Sequence, residues 1–182
     1  MIARLAVLIA FAIAAVLPAA AQTTASPDNI LVLETNKGAV EIALRPDLAP
    51  EHVERIKTLA REGFYDGVVF HRVIEGFMAQ TGDPTGTGSG GSKLPDLKAE
   101  FTSTPYQRGT VGMARAQSPD SANSQFFIMF NRVPSLDGKY TVFGEVIDGM
   151  DVVDTIKKGS QSANGQVSNP DKIVKAYIKG DK

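Results

Sequence analysis

The stretch Phe70-His71-Arg72-Val73-Ile74-Glu75-Gly76-Phe77-Met78-Ala79-Gln80 concentrates residue types that could act together on a ligand. If Phe70 to Val73 is a strand, Phe70 and Arg72 share one face, because side chains alternate along a strand. A turn at Glu75-Gly76 then returns Phe77, Met78 and Gln80 beside them. A guanidinium, an aromatic ring, a thioether and an amide would converge. That is a mostly apolar pocket with two directional polar groups, the usual make-up of a small-ligand site. The same residues also fit an ordinary hairpin with Phe and Met in its core and Arg at its surface.

A second segment repeats this chemistry: Gly112-Met113-Ala114-Arg115-Ala116, then Ser124-Gln125-Phe126-Phe127-Ile128. The small Ala114 and Ala116 flank backbone that a ligand could approach closely, and Phe127 could add an apolar wall. An ordinary sheet core is again the alternative. The glycine-rich run from Gly82 to Gly91 lacks the Gly-Lys-Ser/Thr ending of a phosphate loop, and no helix obviously follows it. A hydrolase built on Ser89 would need His71 as its base. His71 reads better as a hydrogen-bonded core residue, and His52 as a helix-surface residue. The absence of cysteine excludes disulfides, thiol nucleophiles and Cys-based metal sites, and a count of only two histidines argues against a His-rich one. A formal charge of −1 offers no basic excess for nucleic acid.

These residues need elements to carry them. Ile30 to Thr35 and Ala39 to Leu44 read as a hairpin around Asn36-Lys37-Gly38. Pro50 to Gly63 reads as a helix with Val53, Ile56, Leu59 and Ala60 on one face. Short strands are expected at Val68–Val73, Phe77–Thr81, Thr110–Ala114, Gln125–Phe130, Tyr140–Val146 and Ile173–Ile178. A second helix is expected with Asp148 as its cap, Met150, Val153 and Ile156 as its apolar face, and Lys157 and Lys158 in its last turn. Gly159 to Pro170 reads as a polar loop. Many short strands, one early and one late helix and no βαβ rhythm suggest a mainly β fold, a closed antiparallel barrel, with an open α+β sheet as the alternative.

The motif Phe70-His71-Arg72-Val73-Ile74, Gly76-Phe77-Met78, Gln80, Gly82-Asp83, followed by Ser124-Gln125-Phe126-Phe127-Ile128, resembles that of the cyclophilins. These are peptidyl-prolyl cis–trans isomerases. Ala49-Pro50, Gly63-Phe64-Tyr65, Arg108-Gly109-Thr110-Val111-Gly112-Met113-Ala114, Leu136-Asp137-Gly138 and Val142-Phe143-Gly144 extend the resemblance from about Ile30 to about Ile178. It implies a closed eight-stranded antiparallel barrel capped by two helices, with the site on the barrel's outer face. It implies Arg72 and Gln80 as catalytic residues. It implies Phe77, Met78, Phe127 and Leu136 as walls of a proline pocket, with Gln125 holding substrate backbone. Gly88, Ala114, Arg115, Ala116 and Tyr140 complete the implied substrate-binding set. Ser135 stands where many family members have a rim Trp that binds cyclosporin, and Tyr140 where many have His. The reaction breaks no bond, so no metal or cofactor is expected. The partners implied are proline-containing unfolded or partly folded polypeptides. A non-catalytic proline-peptide module or chaperone on the same fold is the alternative.

Met1 to Ala21 carries Arg4, an uncharged apolar run from Leu5 to Leu17, Pro18 and three small residues. This is the layout of a secretory signal peptide cut after Ala21. Gln22 to Asn29 reads as a flexible lead-in, and residues 30–179 as the isomerase domain. The expected product is a periplasmic monomer with no nucleic-acid partner and no stable membrane association after cleavage.

Overall fold

The computed structural model describes residues 25–182. The expected signal peptide, its expected cleavage site and the start of the lead-in lie outside them. Of the lead-in, Pro27–Asn29 forms a 3₁₀ turn, and the Asn29 side chain accepts from Lys57 Nζ at 2.7 Å, so this part is tied to the domain.

Eight strands are present: β1 (Ile30–Thr35), β2 (Gly38–Leu44), β3 (Arg72–Ile74), β4 (Met78–Thr81), β5 (Thr110–Met113), β6 (Phe126–Met129), β7 (Val142–Asp148) and β8 (Ile173–Ile178). They pair antiparallel in the order β3-β4-β6-β5-β7-β2-β1-β8. The chain at and before β3 meets the chain leading into β8 at a seam of single backbone bonds. Phe70 N donates to Asp171 O at 2.9 Å, Val167 N to His71 O at 3.0 Å, and Val73 N to Gly165 O at 2.8 Å. These bonds draw together the two ends of an eight-stranded antiparallel curled sheet, a half-barrel with two helices. The seam has no regular ladder because the chain before β8 turns repeatedly between Gly159 and Pro170.

Helix α1 (Pro50–Arg61) buries Val53, Ile56, Leu59 and Ala60 against the barrel core, as its 3.6-residue spacing requires. His52 is not on the surface: it is fully buried, with Nδ1 2.6 Å from Glu100 Oε2. The long connection between β4 and β5 folds over the start of α1, and Glu100 also accepts the free backbone N–H groups of Glu51 and His52. Helix α2 spans only Met150–Thr155. Its cap is Gly149 rather than Asp148, which still belongs to β7, and Lys157 and Lys158 lie beyond its end. Gly149 has φ 84°, and a Cβ there would stand 2.4 Å from Ala39 O, so only glycine makes this corner.

The alternation of β4 and β6 separates two apolar groups. Ala79, Phe126 and Ile128 point into the barrel with Leu31, Leu33, Ile42 and Phe143. Met78, Phe127 and Met129 point outward and pack with Tyr106 and Val142. Phe70 belongs to the inner group, contrary to the expected strand face shared with Arg72. The chain is irregular through His71, and regular pairing starts only at Arg72, so Phe70 and Val73 both turn inward.

Candidate active site

Strand register builds the site. Arg72 pairs with Gln80 across β3 and β4, Gln80 with Phe127 across β4 and β6, and Phe127 with Gly112 across β6 and β5. The side chains of Arg72, Gln80 and Phe127 therefore stand in one cross-strand row on the outer face of the barrel. Gly112, at the end of the row, leaves space for Tyr106: a Cβ there would lie 2.2 Å from the Tyr106 hydroxyl oxygen. The Tyr106 ring stacks on Phe127 at 5.6 Å, and Tyr140 meets Phe127 edge to face at 5.8 Å. This aromatic floor is rigid and nearly dry, with Phe127 only 6% exposed.

Above the floor is a cavity of about 420 Å³. Arg72, Phe77, Met78, Gln80, Gly88, Ala114, Arg115, Phe127, Leu136 and Tyr140 all line it. Ala116 and Gln125 do not; they line a neighbouring cavity of about 590 Å³, which shares Gln80, Gly88, Ala114 and Arg115 with the first. Ser135 is exposed in the short turn Pro134–Leu136, at the rim beside Leu136.

A chain of hydrogen bonds joins the two cavities. Arg72 Nη1 donates to Gln80 Oε1 at 3.2 Å, and Gln80 Nε2 donates to Gln125 Oε1 at 2.9 Å. Gln125 Nε2 donates to the carbonyls of Gly88 and Gly90 at 3.1 and 2.8 Å. Each amide both accepts and donates, so its orientation is fixed by its neighbours. Burial draws the Arg72 pKa below its ordinary value, with the Tyr140 phenol opposing. A guanidinium stays charged through such a shift. The Arg115 side chain turns away from this chain and lies over the Tyr140 ring at 4.5 Å, bonded to Lys139 O.

Sequence reasoning missed several lining residues. His71 is buried, yet neither ring nitrogen has a hydrogen-bond partner in the protein, and the ring lines the cavity. It is thus not the hydrogen-bonded core residue expected. Burial lowers its pKa, with Asp83 opposing and Arg72 assisting. Gly86 and Thr87 come from the glycine-rich run, while Ala163, Asn164 and Gln166 come from the polar loop before β8. No periodic signal marks a loop residue that reaches a site through space. Only the proximity of Gly82-Asp83 to the central motif hinted at the first group. Among the described residues, no cluster of three or more His, Asp or Glu side chains could hold a metal ion.

The cavity lies on the outer face of the barrel, floored by aromatics and edged by the guanidiniums of Arg72 and Arg115 and the amides of Gln80, Asn164 and Gln166, so its lining is more polar than the mostly apolar pocket expected. Residues 30–178 match the family described as cyclophilin type peptidyl-prolyl cis-trans isomerase/CLD. A probable peptidyl-prolyl cis-trans isomerase of Brucella suis biovar 1 is 56% identical over 184 residues, covering 95% of this chain and 92% of that one. A crystal structure of a cyclophilin from Hirschia baltica superposes with a TM-score of 0.78 at 30% identity, covering 87% of this chain and 76% of that one. A cyclophilin-type isomerase of Cryptosporidium parvum, crystallised in the presence of the dipeptide Ala-Pro, gives 0.75 at 30% identity, with 82% and 98% covered. The chain belongs to the cyclophilin-type peptidyl-prolyl cis–trans isomerases.

Proposed function

We propose that the isomerase acts on X–Pro bonds of unfolded or partly folded exported polypeptides, with Arg72 and Gln80 as catalytic residues and the 420 Å³ cavity as the proline pocket. The row Arg72–Gln80–Phe127 carries this reading. Peptide rotation is slow because the nitrogen lone pair is delocalised into the carbonyl, with a barrier of roughly 18–20 kcal/mol. At the top of that barrier the nitrogen is pyramidal and its lone pair is free to accept a hydrogen bond. An Arg72 N–H aimed at that nitrogen binds the twisted state better than either planar state, and only such differential binding accelerates the step. Phe77, Met78, Phe127 and Leu136 hold the proline ring and exclude water, which strengthens the bond. Gln80, Gln125 and the backbone from Ala114 to Ala116, beside Gly88 and Tyr140, hold the chain on one side while the other turns. The Ala-Pro dipeptide present with the Cryptosporidium relative supports a proline-peptide ligand. The leader from Met1 to Ala21 supports export to the periplasm and a mature chain beginning at Gln22.

Two measurements test this together. Exchange NMR on an Ala-Pro peptide should show catalysis that survives EDTA, and mass spectrometry of the expressed full-length chain should find a mature form starting at Gln22. A rate lost to EDTA and restored by a divalent metal would overturn the cofactor-free site. An unprocessed chain would overturn export.

The rim position of Ser135 yields a separate expectation. Ser135→Trp should tighten cyclosporin inhibition at least tenfold, since a rim indole adds buried apolar area and a directed N–H. Turnover of a short peptide should change less than twofold. Titrating both proteins in one buffer decides it; an unchanged inhibition constant in a folded variant would remove Ser135 from the rim.

A further inference from the structure

We propose that Asn164 is a positioning residue for catalysis: it clamps the Arg72 guanidinium from the side opposite Gln80. The inference rests on the reading of Arg72 given above. Arg72 Nε donates to Asn164 O at 3.0 Å, and Nη2 donates to Asn164 Oδ1 at 3.0 Å. One residue thus receives two adjacent edges of the guanidinium fork, once through its backbone and once through its side chain. With the Nη1 bond to Gln80, three of the five N–H donors are taken and two remain for a substrate.

The clamp is itself anchored. Asn164 has φ 52°, a left-handed conformation that asparagine tolerates better than most residues. It follows the 3₁₀ turn Gln161–Ala163, and its N–H donates to Gln161 O at 3.1 Å. The residues on either side are stitched to the strand that carries Arg72. Val73 N donates to Gly165 O, Gly159 N to Val73 O at 2.9 Å, and Gln166 bridges to Arg72. Asn164 and Arg72 therefore move as one unit of the barrel seam.

The chemistry of the acceptors matters as much as their position. Both partners of Arg72 are neutral amides. A carboxylate in either place would orient the guanidinium but cancel the charge that the reaction uses. Neutral acceptors orient it and leave the charge available to a developing lone pair. A long arginine side chain loses much rotamer freedom when fixed, so a free one would meet that loss in each turnover.

The test uses the whole protein with four variants. Asn164→Gly keeps the left-handed backbone and its carbonyl but removes Oδ1. Rotation of the Arg72 guanidinium about Nε–Cζ, read by ¹⁵N NMR, should speed up. The kcat should fall roughly fivefold with KM unchanged, the size expected for one exposed hydrogen bond to a charged donor. Asn164→Asp keeps the acceptor and the backbone, so it should restore slow rotation. In an Arg72→Ala background, Asn164→Gly should change nothing further. Unaltered rotation and kcat in a folded Asn164→Gly would overturn the proposal, as would an equal loss of rate without Arg72. A nearly normal rate in Arg72→Ala alone would instead overturn the role of Arg72, while the rotation measurement would still decide whether Asn164 holds it.

Discussion

Arg72→Ala should lower kcat/KM by roughly 10²–10³, the usual effect of removing one preorganised donor from a transition state, while the protein stays folded. The two effects separate because of where Arg72 lies. It is half-buried at the outer face, and its bonds run to Gln80 and Asn164, at the exposed rim and not into the barrel core. Water can replace the lost guanidinium at both amides, so stability should change by less than about 1 kcal/mol. Arg72→Lys should be nearly as inactive, since an ammonium is a point charge that cannot reach Gln80, both acceptors of Asn164 and a substrate nitrogen together. Exchange NMR on a proline peptide, with a thermal unfolding curve for each variant, checks this. Near-normal exchange in a folded Arg72→Ala would remove the residue from catalysis.

The largest loss of stability should follow from Asp83→Ala. Asp83 is fully buried, and its carboxylate accepts from Thr85 N and Oγ1 at 2.8 Å each, Gly88 N at 2.6 Å and Gly90 N at 3.1 Å. Burial alone would push its pKa up, but these bonds from Thr85, Gly90 and Gly88 outweigh it and hold the pKa at about 2. Alanine would remove the one acceptor that gathers these donors; Gly90 is half-buried while Thr85 and Gly88 are exposed and can turn to water, so the cost should be roughly 1–3 kcal/mol. The pH dependence has a definite sign. The folded pKa lies below the ordinary carboxylate value of about 4. The Asp83 contribution is therefore complete above about pH 4 and is lost as pH falls towards 2. Urea unfolding of wild type and Asp83→Asn should show a gap that is constant from neutral pH to about pH 5 and narrows below it. A gap that persists at pH 2, or none at neutral pH, would contradict this. Because the same loop presents Gly86, Thr87 and Gly88 to the 420 Å³ cavity, KM should rise as well.

How much of this was legible in the sequence depended on whether a contact leaves a periodic trace. The alternation in Phe126-Phe127-Ile128-Met129 and in Met78-Ala79-Gln80 carries through to the two faces of β6 and β4, so the site row was readable from spacing. Between Phe70 and Val73 the alternation fails, because both residues turn into the core, and the strand there is shorter than the composition suggests. The end of β7 was misjudged for a different reason: Asp148 looks like a helix cap, but the requirement for a left-handed corner against Ala39 moves the cap to Gly149. The burial of His52 and the reach of Asn164 to Arg72 depend on contacts 48 and 92 residues apart in the chain. No local pattern encodes such a contact, and both segments looked like solvated polar sequence.

The first strand of the barrel finds one of its two neighbours in the last: Leu31 pairs with Ile178, and Leu33 with Ala176. A ribosome must therefore have made the chain through Ile178 before β1 can be fully paired. Until then the nascent chain offers β1 as an open edge, with the inward faces of Leu31 and Leu33 still seeking cover. The edge of β1 that faces β8 is thus the last part of this strand to be covered as the chain is made.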